Sequence, residues 1–232
     1  MKRILPAAII GVAIVILGFA LKAGIDNFSN RDRVVTVRGL CEKEVRANKV
    51  TWPIVTKEMG NDLTTIYNRI QSTNAVIVDF LKSNGIAESE FSVNPPQVYD
   101  AAADRYGNQN IVYRYQVTNV VVVTSDKIDA VRALMEKQTS LLQKGIAVVA
   151  GDYNYQTSYE YTDLNSIKPE MIAEATANAR EAADKFAADS HSKLGKIKTA
   201  SQGQFSINDR DQYTPDVKTV RVVTSITYYL QD

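Results

Sequence analysis

The chain has 232 residues, enough for one large or two small domains, and 45% of them are hydrophobic, so a buried core is within reach. With 27 basic and 26 acidic residues the net charge is +1, which argues against a nucleic-acid-binding protein and its usual basic excess. A single cysteine, Cys41, excludes an internal disulfide, and a single histidine, His191, removes most transition-metal and triad chemistry.

The amino terminus is the first element. Met1-Lys2-Arg3 precede an uncharged, largely apolar run over residues 4–21, which Lys22 ends. As a helix that run is about 27 Å long at ~1.5 Å per residue, close to the hydrocarbon thickness of a bilayer. It exceeds the ~7–15-residue core of a signal peptide. Leu21-Lys22-Ala23 is also a poor cleavage site. The pattern favours an uncleaved signal anchor over residues 1–22, with a cleaved export signal as the alternative. Lys2 and Arg3 stay cytoplasmic and the rest lies outside. Residues 23–33 are a polar linker, and residues 34–232 form the exported domain.

Val34 to Val37 is a β-rich run ending at Gly39, and residues 44–57 form a second. The two are expected to pair as a hairpin, with Pro53 marking an edge strand or a bulge. Asn61 or Asp62 caps a helix that runs to about Asn84 and stops at Gly85. Pro95-Pro96 keeps residues 91–99 extended. Residues 104–110 are a turn-rich loop, and residues 111–123 alternate as a half-buried strand. Ser125 or Asp126 caps a second helix, which stops at Gly145. Tyr153, Tyr155, Tyr159 and Tyr161 then alternate with polar residues. A third helix begins near Ile167 with Pro169 in its first turn. Its small residues, Ala175, Ala179, Ala182, Ala183 and Ala187, share a stripe with Ile172 and Phe186. Such a stripe predicts close packing on a sheet, with Gly195 as the C-terminal stop. Two strands, 196–207 and 217–230, complete the chain.

The fold class is therefore α+β. Two related β-β-α-β-β-type halves pack in one domain with a third connecting helix, preceded by an N-terminal transmembrane helix. Ser83-Asn84-Gly85-Ile86 and Lys193-Leu194-Gly195-Lys196-Ile197 are the matching corners of a loose internal duplication.

These residues resemble the SIMPL domain family of bacterial exported proteins. The marks are Val-Thr-Val-Arg-Gly at residues 35–39, Ser83-Asn84-Gly85-Ile86 followed by Pro95, and the helix signature from Ala175 to Ala187 with Leu194-Gly195-Lys196-Ile197. Cys41 departs from the family pattern, since many members carry a second glycine there. The resemblance implies a periplasmic or envelope location, and the basic start with its apolar run would anchor that domain at the inner membrane. It also implies a link to stress tolerance in several members and a large ring-like assembly in one relative. It carries no catalytic residues.

The candidate chemistry is sparse. Asp189 and Ser190 adjoin His191, but neighbours on a helix point about 100° apart and cannot form a relay. Cys41 reads as a small buried hydrophobe. Asp100, Asp104, Asp152, Glu160 and Asp163 are scattered near turns, and no glycine-rich phosphate loop, zinc spacing or calcium loop is present. The tyrosines Tyr153, Tyr155, Tyr159 and Tyr161 are the candidate interaction face, because alternate tyrosines on a sheet offer area and hydroxyls together. The expectation is a non-enzymatic envelope protein without cofactor, metal or nucleic-acid partner. It touches the membrane through residues 4–21 and forms a homo-oligomer or docks a partner. The alternative is a module that binds glycans or small envelope molecules on the tyrosine face.

Overall fold

The computed structural model describes residues 4–30, 33–103, 112–149 and 153–231. The first element is a helix, α1 (Ile4–Asn30), longer than the apolar run that begins it. Its side chains are described over residues 11–25, and all of them are exposed. The expected transmembrane helix is not found as such: among the described residues no helix is long and apolar enough to cross a membrane. The side chains of residues 4–10, the opening of the expected span, lie outside the described residues, as do residues 1–3.

The rest is α+β and falls into two compact units. Unit 1 comprises residues 1–44, 164–208 and 219–232; unit 2 comprises 45–163 and 209–218. Unit 1 therefore opens, is interrupted by most of unit 2, and resumes. Its sheet contains β1 (Val34–Arg46), β7 (Lys193–Gln202), β8 (Ser206–Asp209) and β9 (Val217–Gln231), in the order β1-β9-β7, with β8 also on β9. Its helix is α5 (Leu164–Asp189). Unit 2 contains β2 (Lys49–Gly60), α2 (Leu63–Ser83), β3 (Phe91–Val93), β4 (Gln97–Asp100), β5 (Tyr115–Ser125), α3 (Ile128–Lys137), α4 (Thr139–Gln143) and β6 (Ser158–Glu160). Its sheet order is β3-β5-β2-β6, with β4 beside β5.

One topology is used twice. In unit 2, β2 leads into α2, then β3 and β4, then β5, and β5 pairs with both β2 and β3/β4. In unit 1, β1 is followed by α5, β7 and β9, and β9 pairs with both β1 and β7. The internal duplication is real at this level, but its second copy is split: unit 2 is inserted between β1 and α5. The expected β1–β2 hairpin is corrected for that reason, since β1 joins one sheet and β2 the other. Pro53 sits on a locally open edge of β2, as its sequence reading allows. It pairs with Val122 of β5, while β6 accompanies β2 only over Lys49–Thr51. The flank that would need its missing N–H carries no strand at that point.

Unit 2 packs its three helices over one core. Val50, Trp52 and Ile54 of β2 and Val121 and Val123 of β5 meet Ile77, Phe80 and Leu81 of α2 and Val131 and Leu134 of α3. A buried polar trio lies under α2. The Asn119 amide donates to Asn74 Oδ1 at 2.7 Å and to Thr56 Oγ1 at 3.2 Å, so these buried amides are satisfied.

Unit 1 is built on a closer contact. The α5 residues Met171, Ala175, Ala179, Ala183 and Ala187 are buried at steps of four. The stripe is narrower than expected, because Ile172 and Ala182 are only half-buried and Phe186 is 64% exposed. Gly39 of β1 lies beneath it. A Cβ at Gly39 would sit 1.8 Å from the Ala175 carbonyl oxygen and 2.4 Å from the Ala179 nitrogen. Strand backbone and helix backbone touch directly here, which requires glycine on one side and alanine on the other.

The helix ends correct another reading. After α2, Gly85 has φ +88, its N–H reaches Lys82 O, and the Ile86 N–H reaches Leu81 O. After α4, Gly145 (φ +81) and Ile146 bond Leu142 and Leu141 in the same way. These are Schellman caps, each closed by the apolar pair Ile86/Leu81 or Ile146/Leu141. After α5, the left-handed position is taken by His191, with φ 52, and not by Gly195. The His191 N–H bonds Ala188 O at 3.0 Å, and the Ser192 N–H bonds Ala187 O at 2.8 Å. Gly195 instead lies in β7 at a register shift, where a Cβ would meet Tyr229 O at 2.8 Å.

Two predictions follow from this packing. Gly39→Ala places a methyl inside the α5 backbone, and Ala179→Leu overfills the same contact. Each should lower stability by about 1–3 kcal/mol or more in denaturant titration, and unchanged midpoints for both would mean α5 does not sit on β1. His191→Gly relieves a left-handed L-residue, and should raise stability by about 0.5–1 kcal/mol after the added chain entropy is subtracted. A loss of stability would refute the cap.

Candidate functional site

The four candidate tyrosines do not form one sheet face. The alternating segment yields only β6, so just Tyr159 sits in a strand. Its ring packs against the unit 2 core, and partial burial raises the pKa of its hydroxyl. Tyr153 lies in a turn and is 86% exposed. Tyr155 is half-buried in a bend, and its hydroxyl donates to Gln97 Oε1 at 3.2 Å. Tyr161 is half-buried beyond the strand. The neighbouring aromatics are apart as well. Tyr113 is exposed, while Tyr115 packs on Ile66, Ile70 and Val117 with the Arg114 guanidinium over its ring.

Cys41 follows Gly39 on the inward side of β1 and is buried. Its thiol donates to Glu174 Oε2 of α5 at 3.2 Å. Burial first, and the Glu174 carboxylate second, push the thiol up to about 11. A thiol held there stays protonated at neutral pH. Beside it, Lys43 pairs with Glu170 at 2.7 Å. His191 serves the backbone, as the left-handed residue after α5. Among the described residues no group of three His, Cys, Asp or Glu side chains could hold a metal ion. Of the scattered carboxylates, Asp104 and Asp152 lie outside the described residues. Asp100 is held by Arg114, whose hydrogen bonds lower its pKa.

Two charged constellations have no signature in the sequence. The first lines a hollow of about 380 Å³ bounded by residues 46–48, 126–130 and Asp216. The buried Asp216 carboxylate accepts from Arg132 at 2.8 Å and lies 3.8 Å from Arg46, which also reaches Asp129 at 3.1 Å. Two arginines against two aspartates leave no net charge to recruit a ligand. The second is a clasp at the start of α3. Glu90 accepts from the Ser125 hydroxyl at 2.7 Å, the Ala87 N–H at 2.8 Å and Lys127 at 3.0 Å. The Ser125 hydroxyl in turn accepts from the Lys127 N–H at 3.0 Å. The helix itself starts at Ile128 with Lys127 at the cap position, one residue beyond Asp126 and two beyond Ser125.

The clasp has a pH signature. The Ser125 hydrogen bond, then the Ala87 N–H and Lys127, lower Glu90 from its ordinary 4.5 to about 2. A depressed carboxylate stabilises the fold above its unfolded pKa, and that contribution disappears as pH falls from about 4.5 towards 2. Glu90→Gln should therefore be less stable than the parent at pH 7, with the difference closing at pH 2.5. Parallel stability curves over that range would show that Glu90 does not bear on acid stability.

Among the described residues these sites are held by ion pairs, hydrogen bonds and packing. A search of curated proteins finds no match for this chain. The family model for SIMPL, described as a protein of unknown function (DUF541), matches residues 35–228, which span both units from β1 into β9, and the chain belongs to that family.

Proposed function

We propose that this chain is a non-enzymatic envelope protein. Helix α1 holds it at the inner membrane, and the SIMPL domain lies on the periplasmic side, where it assembles with copies of itself or docks a partner protein. Family membership supports an extracytoplasmic setting. The uncharged run over residues 4–21 and the exposed apolar side chains of α1, including Val12, Ile16 and Phe19, support the anchor. A role in stress tolerance rests on the family resemblance alone. The tyrosine-face reading gains nothing from the geometry, because its four residues occupy a turn, a bend, a strand and the segment beyond it.

The observation that carries the assembly reading is the edge at β1. Among the described residues this strand is the outermost of its sheet and pairs with β9 alone. Three contacts fix one register along it: Leu230 N–H to Arg33 O, Thr36 Oγ1 beside Thr227 Oγ1, and Ala47 N–H to Asp216 O. Odd-numbered residues of β1 therefore face β9 with their backbone groups, and even-numbered ones turn theirs to the open side. On that open side Asn178 covers the Leu40 carbonyl at 2.8 Å. The opposite edge strand, β7, is guarded by Lys193, Lys196 and Lys198, which discourage pairing. β1 carries its own charges from Arg38 onward, but residues 34–37 are uncharged, and that stretch directs strand addition to the start of β1.

Arg38→Pro tests this in the full-length protein. It removes one outward N–H and no bond to β9. Light scattering in detergent should show a multi-copy particle, or a partner complex retained from membranes, that the substitution reduces. Alkaline carbonate washing should leave the parent in the membrane pellet. A strict monomer without partner would refute the assembly reading, and release by carbonate would refute the anchor.

A further inference from the structure

One hollow in unit 2 differs from its neighbours in chemistry. It holds about 320 Å³. Leu63, Ile66, Tyr67 and Ile70 of α2 form one wall, Val117 the floor, and Pro96 with Val98 the other wall. Three other hollows of this unit are lined by charged side chains such as Arg46, Glu58 and Asp79. Here, among the described residues, no lining side chain is charged, and the Tyr67 hydroxyl is the one polar side-chain group.

The chain makes this cleft by an interruption. β3 and β4 both run beside β5, pairing with Val123–Val121 and Thr118–Tyr115. Between them Pro95-Pro96 cannot donate to the ladder. Across from this break the first half of α2 buries Ile66 and Ile70 on Val117. Leu63, Tyr67 and Val98 at the mouth stay 44%, 56% and 57% exposed.

The lining selects its occupant. A glycan, nucleotide or ion would lose its water and regain no hydrogen bonds from these walls. A second protein copy needs roughly 20–30 residues a side for a stable interface, far more than the seven that line this cleft. At the ~30 Å³ of a liquid water per group, the cleft takes roughly ten methylene-sized groups in a row. We propose that this cleft binds one linear alkyl chain of about ten carbons, carried by a small amphiphile whose polar head remains in water at the mouth. The site uses no residue of α1 or β1, so it stands or falls independently of the anchor and the edge.

The full chain in a lipid nanodisc is photolabelled with a diazirine-bearing decanoic acid in competition with octanoate, decanoate or dodecanoate, and labelled peptides are mapped by mass spectrometry. Label should concentrate on residues 63–70 and 96–98. Competition should strengthen roughly three- to fourfold per added methylene up to about ten carbons and then level off. Val98→Lys, at an exposed position, should cut this labelling about tenfold with an unchanged circular dichroism spectrum and melting curve, whereas Tyr67→Phe should leave it intact. Label confined to residues 4–21, competition independent of chain length, or full labelling in Val98→Lys would overturn the proposal. So would a fall in particle mass on Val98→Lys with labelling unchanged, which would assign the cleft to a second copy.

Discussion

Unit 1 depends on a contact between two backbones. At Gly39 the strand lies so close to α5 that even a methyl group would overlap the Ala175 carbonyl. That spacing is possible only because α5 offers alanine at 175 and 179. The rest of the stripe follows: small residues recur every four positions because any bulk would lift the helix off Gly39. Little apolar area is buried per residue, so the unit recovers stability from contact density and from the flanking Val37, Ile226 and Tyr228. Cys41, two residues beyond Gly39 on the inward face, fits the same constraint. Its small side chain meets Glu174 and stays protonated.

The repeated topology explains why His191 is where it is. In unit 2 the turn after α2 uses Gly85 in the left-handed conformation, with buried Ile86 closing on Leu81. The corresponding turn after α5 has the same two backbone bonds, but His191 and Ser192 fill the two positions. Ser192 is held by a hydrogen bond from Arg33 at 3.0 Å, so a polar tie replaces the apolar one. Histidine is among the residues that tolerate positive φ, and the only histidine of the chain is accounted for by geometry.

Much of this was legible, and the failures have physical causes. The alanine stripe announced a close helix–sheet contact, because small residues at helical spacing have few other uses. It did not identify Gly39 as the counterpart, since no local pattern links residue 39 to residue 175. Glycine after a helix is the strongest stop signal, and so it drew attention to Gly195 when the cap was a histidine four residues earlier. Pro53 was legible as an edge residue, because β6 accompanies β2 only over Lys49–Thr51 and leaves the flank at Pro53 open. The tyrosine alternation is genuine in the sequence, yet residues 153–157 never join the sheet, and period-two spacing has no meaning outside a strand. The Arg46–Asp216 and Arg132–Asp216 pairs bridge residues far apart in the chain, and charges spaced that way carry no periodic signal.

The insertion of unit 2 raises a question of chain entropy that the hydrogen bonds answer. Gly39 and Ala175 must meet although the whole of unit 2's main segment separates them. Closing so long a loop in an unfolded chain carries an entropy cost that grows as (3/2)RT ln n and slows folding through non-local contacts. The main segment of unit 2 lowers that cost by fastening its own two ends together. The Asn48 N–H donates to Glu160 O at 2.9 Å, and the Asn48 side-chain oxygen accepts from the Thr162 N–H at 2.9 Å and from the Thr162 hydroxyl at 3.1 Å. β2 and β6 continue the seam through Lys49↔Glu160 and Val50↔Tyr159. Once that segment has folded, the chain leaves it beside the point where it entered. The effective loop between β1 and α5 is then the few residues on either side of Asn48 and Thr162. The short strand β6, which failed as a tyrosine platform, thus has a structural purpose of its own. It closes the inserted unit at its base, and so allows a contact between residues 39 and 175 to form as though they were near neighbours in the sequence.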